Sequence, residues 1–153
     1  MSLQENATMT TFAQSAATLW GHWAHPPVAA GQQRREWRRE RIKAMINGAA
    51  SFMVAPTVSF EDTGTSNGSF GWSGWTLRLR KDRTADSALS YEDFVKYCRT
   101  MYHETRHAEQ FYRIAQGLAA GTLKYPDVSP QTTLQAVTAS GGGAGVKGKV
   151  ALS

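Results

Sequence analysis

Within MYHETRHAEQF, Met101 to Phe111, two histidines stand four residues apart and a glutamate directly follows the first. On a helix each residue advances about 100°, so His103 and His107 fall within about 40° of each other, one turn apart. Two neutral imidazoles converging from one face suit Zn2+. In HExxH chemistry they hold the ion, and the glutamate, here Glu104, takes a proton from the water that zinc acidifies and passes it to the leaving amine. Gln110 falls about 20° from His103 on the same face, where it is placed to support the site by a hydrogen bond to His107 or to the metal-bound water. Glu109 projects nearly opposite the pair and is a poor ligand despite its nearness in sequence.

A catalytic zinc takes three protein ligands and keeps one position open. After Glu109 the only acidic side chain is Asp127, which a chain reversal near Gly121 would bring back, so it ranks first as third ligand. His22 or His25, from WGHWAHPP, ranks second and would make an all-histidine site; Glu36 or Glu40, another i, i+4 pair, ranks third. The tetrahedral oxyanion of peptide hydrolysis needs a donor that strengthens in the transition state. Tyr102, Tyr112 and Tyr125 are candidates, and Tyr125, beside Asp127, is the best placed.

These residues need a helix and a wall to hold them. Ser90 as N-cap with Asp93 at the third helical position is an acidic variant of the capping box, and apolar residues from Phe94 to Leu118 recur with helical period, predicting one helix over 91–120. Upstream, RREWRRERIKAMINGAA spaces Trp37, Ile42, Met45 and Ile46 along one helical stripe among arginines, with Asn47-Gly48 as a stop. Between the two helices, SFMVAPTVSFED is β-like with Pro56 confining it to an edge or a bulge, and DTGTSNGSFG reads as a turn-rich connector. WTLRLRK alternates cleanly, with Trp75, Leu77 and Leu79 on one face and Thr76, Arg78 and Arg80 on the other. The expectation is an antiparallel ribbon whose Trp75, Arg78 and Arg80 align an extended substrate. A shorter helix through QTTLQAVTA and a glycine-rich end complete the chain.

His103-Glu104-Thr105-Arg106-His107-Ala108-Glu109-Gln110 resembles the HExxHxxQ helix of small zincin-like metallopeptidase domains found in bacterial polymorphic toxins and in effectors of phage-tail-like contractile injection systems. The resemblance covers about ten residues, supported by the strand before them. Thr105-Arg106 departs from the small or apolar pair usual inside such motifs. The resemblance implies an α+β, zincin-like fold with a basic backing helix, a short antiparallel sheet and a long active-site helix. It also implies a zinc cofactor, a protein or peptide substrate and a cognate immunity or inhibitor protein.

The whole chain bounds these readings. At 153 residues it is one domain's length. The expected organisation is an irregular N-terminal arm over 1–30, a single zincin-like domain over 31–139 and a flexible glycine-rich tail over 140–153. A single cysteine, Cys98, excludes an intrachain disulfide and cysteine-rich zinc sites, so a metal must be held by His, Asp or Glu. The N-terminus lacks a basic start with a continuous apolar run, and no stretch is apolar enough to span a bilayer. A soluble protein is expected, cytoplasmic or delivered without a cleavable signal. The net charge of +5 sustains an alternative reading, a basic binding module for nucleic acid or an acidic protein built on RREWRRERIK with Trp37, Trp72 and Trp75. A di-iron bundle would need a second ExxH element, which the chain lacks.

Overall fold

The computed structural model describes residues 2–72 and 74–120. The elements run α1 (Asn6–Trp23), α2 (Gln32–Ala49), β1 (Thr57–Glu61), β2 (Gly68–Gly71), β3 (Thr76–Arg80), α3 (Lys81–Ala85) and α4 (Tyr91–Ala120). The class is α+β, as the sequence predicts.

Helix α4 forms where its periodicity places it. Ser90 Oγ accepts the Asp93 amide at 3.1 Å, the expected N-terminal cap. Its buried side is Phe94, Cys98, Met101, Thr105, Ala108, Tyr112 and Ala115, alternating steps of four and three that keep one stripe on the core. Thr105, the motif's departure from the apolar norm, lies on that stripe. Its hydroxyl donates to the Met101 carbonyl at 2.6 Å, so its polarity is satisfied inside the helix and it packs as a small core residue.

The sheet has the order β1-β3-β2 and is mixed, which corrects the expected antiparallel ribbon. β1 runs parallel to β3, β2 antiparallel. The segment expected as a pure connector contains β2. Residues 62–67 carry the chain past the end of β3, from one of its flanks to the other, a span of about two strand spacings or ~9.6 Å. The Asp62 carboxylate accepts the Gly64 amide at 3.0 Å, and Gly64 takes φ +69, which glycine adopts without penalty. Register sets rows across the sheet: Val58–Leu77–Phe70 and Phe60–Leu79–Gly68 face the helices, while Ser59–Arg78–Ser69 faces outward. A Cβ on Gly68 would lie 2.6 Å from the Arg78 carbonyl and 3.3 Å from Thr100 Cγ2, so glycine lets β2 sit close to both β3 and α4.

The N-terminal region is not irregular. α1 occupies Asn6–Trp23 and contributes Phe12, Leu19 and Trp23 to the core, and Leu3 ahead of it is fully buried. Its apolar residues are few and separated by Thr, Ser and Ala, so the helical period is faint in the sequence. Tertiary contacts supply what propensity lacks. The Tyr102 hydroxyl donates to the Leu3 carbonyl at 2.5 Å, and Glu109 Oε1 accepts from Ser2 Oγ at 3.0 Å and the Leu3 amide at 3.1 Å.

Helix α2 is the expected basic helix, but its central arginine is interior. Arg38 is 1% exposed and donates to the Trp23 carbonyl, to the Thr84 carbonyl at 2.8 Å and to Ser87 Oγ at 2.7 Å. It places a guanidinium at the C-terminal ends of α1 and α3, where unpaired carbonyls and the helix dipole favour a cation. No helix among the described residues is long and apolar enough to cross a membrane.

Candidate metal centre

His103 and His107 project from the side of α4 away from its buried stripe. Their Nε2 atoms lie 3.0 Å apart, with the rings nearly perpendicular at 89°. Gln110 Oε1 lies 3.0 Å from His107 Nδ1. A carbonyl oxygen only accepts, so Nδ1 is the donor in this contact, which leaves Nε2 as the atom that would offer a lone pair to a metal. Of the two partners expected for Gln110, His107 is the one it meets, and the bond holds the ring in the tautomer a metal ligand needs. With His107 Nε2 accepting, the 3.0 Å contact is closed by the proton on His103 Nε2, in the place a cation would take.

Glu104 is half-buried beside them. Its Oε2 accepts the Phe70 amide at 2.9 Å, and its Oε1 lies 4.0 Å from His103 Nε2. The Phe70 amide points away from β3, so the outer edge of β2 anchors one carboxylate oxygen and leaves the other near the imidazole pair. One ligand atom each from His103, Glu104 and His107 falls within 4.8 Å of the others, the one such group among the described residues.

This donor set fits zinc. Two ligands at about 2.0–2.1 Å in a tetrahedron stand about 3.3 Å apart, so a ring adjustment of a few tenths of an ångström accommodates the ion. Two imidazoles with a carboxylate close by are borderline N/O donors of the kind zinc takes.

The other expected residues lie elsewhere. His22 meets Trp37 edge-on with centroids 6.0 Å apart, and His25 is exposed. Glu36 stands 3.9 Å from Arg35 and Glu40 3.5 Å from Lys43. None of these four belongs to the His103–Glu104–His107 group. Asp127 and Tyr125 lie outside the described residues. Glu109 points into the core, as its angle on the helix predicts.

The expected substrate strand is corrected. β3 is the central strand, flanked on both sides, and has no free edge to offer a peptide. Trp75 is fully buried, its indole donating to the Val54 carbonyl at 2.8 Å. Its φ of +51 is costly for a bulky residue and is held by this packing. Arg78 is on the outer sheet face and pairs with Glu61 at 3.1 Å; Arg80 pairs with Asp82 at 2.6 Å. The strand beside the site is β2. Phe111, one turn beyond His107, meets Phe70 at 6.0 Å and Trp72 at 6.4 Å and makes an aromatic wall. The sequence signal for this strand was a phenylalanine framed by Gly68 and Gly71, too short to show alternation.

The chain matches no protein-family model, no curated protein and no solved structure.

Proposed function

We propose that this protein is a zinc-dependent hydrolase of peptide bonds, with its centre on α4. The observation that carries the reading is the convergence of His103 and His107 Nε2, 3.0 Å apart, with the Glu104 carboxylate held beside them. His103 and His107 would hold the zinc ion, and a ligand from the chain beyond Ala120, Asp127 first among the candidates, would complete its protein set. Bound there, zinc supplies Lewis-acid polarisation of the scissile carbonyl and acidifies a water.

Glu104 serves as general base and then general acid. The Phe70 amide orients it, because a carboxylate with one oxygen anchored presents the other in a fixed direction. Gln110 keeps the His107 ring from rotating. β2, rather than β3, is the strand beside which an extended substrate would lie, with Phe70, Trp72 and Phe111 as apolar contacts. By the motif's resemblance the substrate is a protein and a cognate inhibitor is a natural counterpart.

The basic-module alternative loses two of its arginines to the fold. Arg38 is buried on carbonyls, and Arg39 packs over Phe60 with Nε donating to Thr84 Oγ1 at 3.0 Å. Glu104→Gln tests the peptidase reading. It should retain zinc while peptide hydrolysis falls by about 10²–10⁴-fold. Full activity in this variant would refute the assigned base.

A further inference from the structure

An apolar groove of about 430 Å³ lies between α1 and α4 and belongs to neither the core nor the His103–His107 face alone. Its origin is steric. Phe12 meets Tyr102 with centroids 5.0 Å apart, and Trp20 meets Phe94 at 5.0 Å. These aromatic pairs act as two struts between antiparallel helices, about two turns apart on each. Between them α1 presents only the short side chains of Ala13, Ala16 and Ala17 to the groove. The two large apolar side chains left most open to solvent among the described residues, Met9 at 40% and Tyr91 at 61%, both border this groove.

The rim is cationic. Arg99 and Arg106 are exposed, border the groove one heptad apart, and make no ion pair with any described residue. No acidic side chain lines the groove, and His103 stands at the same end as Arg106.

We propose that this groove docks an amphipathic helix of a partner protein, apolar on one face and acidic at its margin. Both walls are helices whose backbone groups are paired internally, so an extended peptide lying there would leave its own amides and carbonyls unpaired against apolar walls. A helix brings its hydrogen bonds with it. From Tyr91 to Arg106 the groove runs about 22 Å, room for about four turns of a partner helix. Acidic residues seven apart on that helix would meet Arg99 and Arg106, and its apolar face would cover Met9, Tyr91 and the alanine floor. The docking is independent of the metal reading, although it would seat a partner next to His103.

The test is binding of labelled synthetic helices, followed by fluorescence anisotropy, to the full chain with and without a zinc chelator. The helices share one apolar face and carry Glu or Lys along its margin; a sequence-scrambled Glu peptide serves as control. Saturable binding of the Glu helix alone is expected, weakened about tenfold or more by Arg99→Glu/Arg106→Glu, in line with the leverage of rim charge. Ala13→Glu, at an exposed position and therefore tolerated by the fold, should weaken it as well. Circular dichroism of both variants should match the parent. Equal binding of the Glu, Lys and scrambled peptides, no binding of the Glu helix, or unchanged binding by the variants would each overturn the proposal. A stable dimer that buries this face would overturn it too, by making a second copy the occupant.

Discussion

At the level of single residues, the site was legible wherever helical angle alone decides. His103, His107, Gln110 and the core-facing Glu109 stand where a 100° step puts them, because a side chain's direction on a helix follows from its number. Glu104 was legible as a neighbour of the pair, but its bond to the Phe70 amide was not, since a contact 34 positions apart leaves no local trace. Trp75 misled for the opposite reason. Alternation located its face correctly, and only the packing of Phe70 and the Val54 carbonyl around it shows that this face is core and not a substrate surface. Gln110 gives the sharpest residue-scale prediction. Removing its carbonyl frees the His107 ring and its tautomer, so Gln110→Ala should weaken zinc binding by about 10–100-fold with the fold unchanged. A competition titration with a chromophoric chelator measures it, and unaltered affinity would remove Gln110 from the site.

At the level of elements, α4 and β3 announce themselves by strict periods, while α1 and β2 do not. α1 carries a sparse stripe on small residues, and β2 is four residues framed by glycines, so both depend on contacts made elsewhere. α2 shows how a charge run hides a structural residue. Arg34, Arg35, Arg38, Arg39 and Arg41 look alike in sequence, yet Arg38 alone is buried on two helix ends. Arg38→Ala would strip the Trp23 and Thr84 carbonyls of a charged donor and open a space against the Trp23 ring, costing about 3 kcal/mol. Arg41→Ala on the same helix, at an exposed site, should stay within about 0.5 kcal/mol. Urea denaturation of the two variants side by side checks the contrast. Equal small effects would mean that the guanidinium is not holding α1 and α3 together.

At the level of the whole molecule, the core contains groups that resist ionisation. Burial pushes the Cys98 thiol up from its ordinary 9.0 to about 12, and burial likewise raises the Tyr97 phenol, whose hydroxyl donates to the Arg80 carbonyl at 2.8 Å. Both folded pKa values lie above the unfolded ones, so unfolding in base releases protons. Their contribution to stability is complete below about pH 9 and is lost as pH rises toward 12. A lower urea midpoint at pH 10.5 than at pH 8, with a thiol slow to react with alkylating reagents in the native state, is the expected result. The same packed body fixes α4 against β2 and so holds Glu104 beside the two imidazoles, which makes the candidate metal centre a property of the whole fold and not of one helix. The most direct test of that centre is elemental analysis by mass spectrometry of the protein purified without a polyhistidine tag, beside His103→Ala/His107→Ala. About one zinc per chain, absent from the double variant, is the predicted result. No bound metal after zinc is supplied, or equal metal in both proteins, would contradict it.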